Sequence, residues 1–260
     1  MLRALRERIK RAPIVGPALH RLYLRKFHHE GELLRISGGL LRDKYWVRFM
    51  RTHNDDYVRG NYESEVQAVL ARHLRAGMTF FDVGANAGFF SLLGSSIVGT
   101  SGKVVSFEPH PETAEQLRAQ MAANSVNNVT VVEAAVCEKI GTHKFSDDTA
   151  AVMAALDTAK AATRTVTVKT TTLDHEVQSK SVPDVLKIDV EGAEIDVIRG
   201  AKQLIAQRRP ILLVEIHSNE LAAEYDKAMA DLSYNTHSLS GSEISAAESG
   251  ERFVISTPRD

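Results

Sequence analysis

Between Thr79 and Ile97 the chain changes from strand-like to helix-like patterning, with two glycines at the change. Thr79-Phe80-Phe81-Asp82-Val83 is β-rich, and Phe89, Leu92, Leu93 and Ile97 recur at helical spacing. The unit then repeats. Lys103 to Phe107 reads as a second strand, after which Pro111 and Glu112 open a helix, proline suiting the first turn and the acid its dipole. Val129 to Glu133 and Asp184 to Asp189 are a third and a fourth strand. The helix after the fourth carries Ile195, Ile198 and Ile205 and stops at Arg208-Arg209-Pro210. Ile211 to Ile216 is a fifth strand, apolar almost throughout, as a strand covered on both faces should be. Strands alternating with helices predict an α/β fold, a doubly wound and mostly parallel sheet.

Three regions depart from this rhythm. Thr165 to Thr172 alternates Val with Thr and Lys like an antiparallel strand, and residues 233–257 read as a closing hairpin ending in Phe253-Val254-Ile255. Residues 1–60 read as short helical pieces broken at Ala12-Pro13, Gly16-Pro17 and Gly38-Gly39, an N-terminal helical arm before a body of residues 61–260. The first 51 residues carry a balance of +9 and the remainder −10, so a basic arm joins an acidic body. Leu2, Leu5 and Ile9 share one helical face among these basic residues. That is the pattern of a helix lying on an anionic membrane surface, or docked on the acidic body. With 43% apolar and 25% charged residues among 260, wholesale disorder, collagen and coiled coil are excluded. The single cysteine, Cys137, excludes an intramolecular disulfide framework and any multi-cysteine zinc site. No run of 18 apolar residues occurs, so a soluble, cytoplasmic protein is expected, peripheral to a membrane if the arm engages lipid. Nothing in the sequence sets an oligomeric state.

Ligands of open α/β sheets bind beyond the carboxyl ends of the strands. The first strand here runs into Asp82-Val83-Gly84-Ala85-Asn86-Ala87-Gly88, whose glycines let the backbone turn tightly and approach a ligand at a helix N-terminus. The second strand ends at Glu108, 24 residues after Gly84, where a carboxylate can accept from both ribose hydroxyls. The spacing is not G-x-G-x-x-G, and Asp82 stands directly before the turn. A carboxylate there repels a pyrophosphate but suits S-adenosylmethionine (SAM), which carries a sulfonium and an ammonium against one carboxylate. Charge therefore favours SAM over a nicotinamide dinucleotide.

Four blocks carry a resemblance: Phe81 to Phe90, Phe107-Glu108-Pro109-His110-Pro111, Leu186-Lys187-Ile188-Asp189-Val190-Glu191-Gly192-Ala193-Glu194, and Val214-Glu215-Ile216-His217. Together they resemble the FkbM family of SAM-dependent methyltransferases, with Asn61-Tyr62-Glu63 similar to the family's lead-in. The resemblance implies a Rossmann-like class I methyltransferase sheet of seven strands with the last antiparallel. It also implies O-methylation of a hydroxyl on a sugar, glycan or small natural product. Asp82, Gly84, Ala85, Asn86, Gly88, Glu108, Pro109, Ala135 and Asp189 are then the expected cofactor residues. Many class I enzymes place an acid after the third strand for the adenine amino group; Ala134-Ala135 stands there in this chain, so backbone contacts are expected.

Methyl transfer to an alcohol needs a group to take the proton. Strand period two puts Lys187 and Asp189 on one side, and Glu215 and His217 on one side of the neighbouring strand. Glu191 follows in the turn and Glu194 begins the helix, so the ionisable groups converge on one rim. Asp189, Glu191 and His217 are the expected catalytic residues. The opposing reading pairs Lys187 with a carboxylate such as Glu215 and leaves Glu191 and Glu194 to the helix N-terminus. Three oxygens from Asp189, Glu191 and Glu215 suit Mg²⁺, but the spacing does not demand a divalent metal and none is favoured. The acceptor pocket is expected to be shaped by residues 146–164 and the 240–250 loop. Two other functions compete: a nucleic-acid methyltransferase using the basic arm, opposed by its lack of base-stacking aromatics, and a nucleotide-binding module without turnover.

Overall fold

The computed structural model describes residues 30–52, 54–146, 165–179, 181–249 and 253–259. The amphipathic, basic pattern of residues 1–27 and residues 147–164 of the expected acceptor pocket lie outside the described residues.

In place of the short helices expected across residues 1–60, the described part is a β-hairpin, β1 (Leu33–Arg35) against β2 (Tyr45–Val47), followed by one short helix, α1 (Asp55–Arg59). The glycine pair read as a helix break lies between the two strands. The outer edge of β2 is satisfied by side-chain amides one helical turn apart. Val47 N donates to Gln120 Oε1 and Gln120 Nε2 donates to Val47 O, both at 2.7 Å, while Asn124 makes the same pair of bonds to Tyr45 at 2.8 Å. Backbone groups demand partners wherever water is excluded, and two amides on one helix face supply them here. Apolar contact adds to this. Trp46 packs tilted against Tyr57 with ring centroids 4.7 Å apart, and Tyr57 stacks on Phe89 at 5.3 Å, so the segment before residue 61 shares the core of the body.

After α2 (Ser64–His73) the chain follows the expected alternation: β3 (Thr79–Val83), α3 (Phe89–Val98), β4 (Lys103–Phe107), α4 (Pro111–Ala123) and β5 (Val129–Val132). A side sheet follows, β6 (Ala135–Val136), β7 (Gly141–Ser146) and β8 (Thr165–Thr171), in which β8 runs antiparallel to β7 as its Val/Thr alternation predicts. Then come α5 (Leu173–Ser179), β9 (Val185–Ile188), α6 (Glu194–Arg199), α7 (Lys202–Arg208), β10 (Ile211–Glu215), α8 (Asn219–Asp231), β11 (Tyr234–Ser238), α9 (Ala246–Ser249) and β12 (Phe253–Pro258). The main sheet has seven strands in the order β11-β12-β10-β9-β3-β4-β5, with β12 running against the other six. Apolar clusters cover both faces, around Phe81, Ile188 and Val214 on one and Phe80, Val104 and Leu213 on the other.

One expected helix is two. The segment from Ile195 to Arg208 breaks at Gly200, where a β-carbon would stand 2.1 Å from the Cys137 carbonyl oxygen. The backbone of the side sheet passes there, and only glycine admits it. The periodicity of Ile195, Ile198 and Ile205 continues across the break, which is why the pattern alone reads as one helix.

Candidate active site

The carboxyl ends of β3, β4, β9 and β10 open into a cavity of about 460 Å³, within the ~300–1,000 Å³ usual for small-molecule sites. Gly84, Ala85 and Asn86 form one wall. Gly84 has φ +78°, and a β-carbon on it would lie 1.7 Å from the Asp189 carbonyl oxygen, so the turn and the end of β9 pack backbone against backbone. Glu108 enters from the end of β4. Its Oε2 accepts from Asn86 N at 3.0 Å and its Oε1 from His110 N at 2.8 Å, which fixes the carboxylate and leaves each oxygen a lone pair for a ligand. Burial pushes Glu108 up to about 7 against the lowering effect of those two amides. Pro109, Ala134 and Ala135 continue the wall beyond it.

Two expected cofactor residues stand outside the wall. Asp82 is fully buried, accepts from Ser91 Oγ at 2.7 Å, and lies 3.7 Å from Lys187 Nζ. Strand register causes this, because Asp82 pairs across the sheet with Lys187 on one side and Ser106 on the other. The carboxylate expected to face the cofactor's cations is instead part of the sheet's interior. Gly88 is the other. It starts α3 with φ +91° and packs toward Leu117, away from the cavity.

Lys187 is as fully buried as Asp82 and also donates to Asp189 Oδ2 at 3.1 Å. Burial alone would lower the lysine, but Asp189 and Asp82 outweigh it and hold the ammonium charged. Burial likewise raises Asp189, and Lys187 with a hydrogen bond shared with Glu215 reverses this and keeps it ionised. The expectation that Lys187 takes a carboxylate partner is met by two aspartates. Glu215 belongs to the cavity wall.

At the rim, Glu191 adopts the left-handed region with φ +55°, which a β-carbon disfavours and which clusters at functional sites. His217 lies between two carboxylates, Nε2 3.1 Å from Glu191 Oε2 and Nδ1 2.8 Å from Glu194 Oε1. Glu194 is fully buried, and its Oε1 also accepts from Gly192 N at 2.8 Å. Burial alone would lower His217, but the carboxylates of Glu191 and Glu194 push it up to about 10, with Nδ1 hydrogen-bonded to Glu194 and Nε2 in an ion pair with Glu191. Asp189, Glu191 and His217 thus lie at one rim, although His217 stands behind Glu191 rather than in the wall.

Asp189, Glu215 and His217 also bring one potential metal-ligand atom each within 4.8 Å of one another. This set differs from the expected one by His217 in place of Glu191. As the protein stands these atoms have other partners, His217 with Glu191 and Glu194 and Asp189 with Lys187.

Sequence reasoning missed the opposite wall. Arg51, Asn54, Tyr57, Tyr62 and Glu63 line the cavity from the segment that joins the hairpin to α2. Only Tyr62 and Glu63 carried any signal, as a lead-in motif without a role. The 240–249 loop is absent from the wall, because it packs beside β11 and α8.

A seven-stranded sheet with its last strand antiparallel, a glycine turn after β3 and a carboxylate ending β4 define a class I SAM-dependent methyltransferase. The family model for the methyltransferase FkbM domain matches residues 82–236, and the chain belongs to that family. It is 28% identical over 196 residues to the hexuronic acid methyltransferase AglP of Haloferax volcanii, covering 74% of this chain and 76% of that protein. Over 59 residues it is 42% identical to protein-L-isoaspartate O-methyltransferase 2 of Archaeoglobus fulgidus, 23% of this chain and 27% of that protein. The precorrin-6y C5,15-methyltransferase of Geobacter metallireducens GS-15 matches with a TM-score of 0.50 at 12% identity, over 80% of this chain and 94% of that one, a shared fold. Among the described residues no helix is long and apolar enough to cross a membrane.

The residues present suit SAM. A buried carboxylate with lone pairs to spare ends β4, the turn beside it leaves no room for a side chain at Gly84, and Asn86 Oδ1 is buried in the wall without a hydrogen-bond partner.

Proposed function

We propose that the enzyme transfers a methyl group to a hydroxyl of a sugar, glycan or other hydroxyl-rich small molecule. The observation that carries this reading is the band of carboxylates, Asp189, Glu191 and Glu215, in the wall beside the glycine turn. Desolvated carboxylates accept strongly from hydroxyl donors, which a polyol offers in number. The similarity to a protein named for methylating a hexuronic acid supports the same acceptor class. A nucleic acid, with a phosphate on every nucleotide, brings far more negative charge to this rim than the single carboxylate of a uronic acid.

Bound SAM supplies a methyl group on a sulfonium, ready for attack by an oxygen. Glu108 accepts from the ribose hydroxyls, with its rotamer held by the two backbone amides. Pro109 and Ala135 offer backbone and apolar surface to the adenine, and the Gly84 turn admits the amino-acid tail. Glu191 takes the acceptor's hydroxyl proton. It is the wall carboxylate nearest His217, whose Nε2 stands 3.1 Å from its Oε2. His217, expected among the catalytic residues, holds its own proton at neutral pH and acts by positioning Glu191. Asp189, held ionised by Lys187, lies on the cofactor side of the rim and favours the sulfonium's charge.

The test is a panel of hexuronic acids, neutral sugars, glycans, RNA and DNA incubated with SAM and scored by release of S-adenosylhomocysteine. Turnover with carbohydrate and none with nucleic acid is the expected result. Turnover confined to RNA or DNA overturns the acceptor reading.

A further inference from the structure

Burial of Asp82 leaves a specific task without the residue assigned to it. The amino-acid tail of SAM carries a compact, strongly hydrated ammonium, and a cavity that takes it out of water must return acceptors for its three N–H groups. These acceptors have to stand near the glycine turn, where the tail enters. Asp82 is not placed to be one, since it is fully buried in the sheet and takes no part in the cavity wall.

The opposite wall has an anion in the right place. Glu63 lines the same cavity as Gly84, Ala85 and Asn86. It occupies the N-cap position of α2 in the left-handed region, φ 42° and ψ 58°, yet its side chain makes no capping hydrogen bond. The carboxylate is turned inward instead. Its charge is felt by Lys187, Tyr57 and Tyr62, the groups that floor this part of the cavity. The lysine there is divided between Asp82 and Asp189 at 3.7 and 3.1 Å. Across the cavity, Asn86 Oδ1 is buried without a hydrogen-bond partner, a second acceptor facing the same space from the turn.

Resting on the SAM reading above, we propose that Glu63, together with Asn86 Oδ1, is the binding subsite for the α-ammonium of the cofactor's amino-acid tail. Glu63 lies outside the stretch matched by the family model, which starts at residue 82, so the segment after the hairpin completes the cofactor site.

Calorimetry on the full-length protein tests this with three ligands: SAM, S-adenosylhomocysteine and 5′-methylthioadenosine, which keeps the nucleoside and lacks the amino-acid tail. Glu63→Gln removes the charge at nearly constant size. A charge-assisted hydrogen bond is roughly twice as strong as a neutral one, so SAM and S-adenosylhomocysteine should each bind about ten-fold or more weaker. 5′-Methylthioadenosine should stay within about two-fold of wild type, which also reports that the variant is folded. Glu63→Asp should recover part of the loss for the two tailed ligands only. Equal losses for all three ligands, or none for any, overturn the proposal. A wild-type protein that binds neither SAM nor 5′-methylthioadenosine overturns the cofactor reading itself, a result distinct from either.

Discussion

His217 shows how two carboxylates override burial at a single residue. Its ordinary value is about 6.5, and the carboxylates of Glu191 and Glu194 push it up to about 10 in the folded protein. The imidazolium's contribution to stability is therefore fully present below about 6.5 and is lost as pH rises through 10. Thermal unfolding from pH 6 to 10.5 should show a falling Tm across that window, and His217→Gln should remove that part of the fall. Parallel curves for the two proteins would contradict the assignment. Glu108 titrates with the opposite consequence for ligand binding. It must be ionised to accept from two ribose hydroxyls, and burial sets it near 7, so SAM affinity should rise with pH through 7 and level off above. Glu108→Gln should weaken SAM about ten-fold or more at pH 8 and flatten this dependence. For the proton acceptor, Glu191→Gln should lower kcat by about 10²–10⁴ with SAM affinity nearly unchanged, measured by initial rates beside calorimetry.

Two glycines separate the roles of turn and helix at the scale of elements. Gly84→Ala places a β-carbon 1.7 Å from the Asp189 carbonyl oxygen and forces a left-handed residue, a backbone cost of about 1–2 kcal/mol before any clash. Gly200→Ala meets the Cys137 carbonyl oxygen at 2.1 Å without the left-handed cost. Both variants should lose several degrees of Tm, at roughly 2–4 °C per kcal/mol for a chain of this size. Only Gly84→Ala should also lose SAM binding, because only that turn lies in the cavity wall. Calorimetric unfolding with and without SAM separates the two. A Gly84→Ala protein that binds SAM normally would remove the turn from the site.

The whole molecule does not divide where its charge changes. Ile36, Leu41, Trp46 and Tyr57 are buried in the same apolar cluster as Phe89, Leu92 and Val98. Removing them exposes the face they cover, at about 1.5–3 kcal/mol for each large side chain, against a typical total stability of about 5–15 kcal/mol. A fragment of residues 61–260 should accordingly lack a single cooperative unfolding transition and should not bind SAM, since Tyr57 and the hairpin that supports it are gone. A fragment that unfolds cooperatively near the wild-type Tm would restore the boundary at residue 60 read from the sequence.

What could be read directly from the chain is what depends on neighbours in sequence. The alternation of strands and helices, the antiparallel last strand implied by the family resemblance, the glycine turn and the carboxylate ending the second strand all repeat or abut within a few residues. Strand period also grouped Lys187 with Asp189 and Glu215 with His217 correctly. Tertiary structure decided the rest, because the deciding partner lay far away in the chain. Sheet register set Asp82 against Lys187 and so took it out of the cavity. A carbonyl at Cys137 split one periodic helix at Gly200. Side-chain amides at Gln120 and Asn124 completed a hairpin where the glycine pair had read as a helix break. Two glutamates on either side of His217 determined its protonation, which residue type alone leaves at an ordinary imidazole value. Periodicity reports which face of an element is buried; only the packed molecule determines what stands opposite that face, and the charge, turn and rotamer of each site residue follow from that.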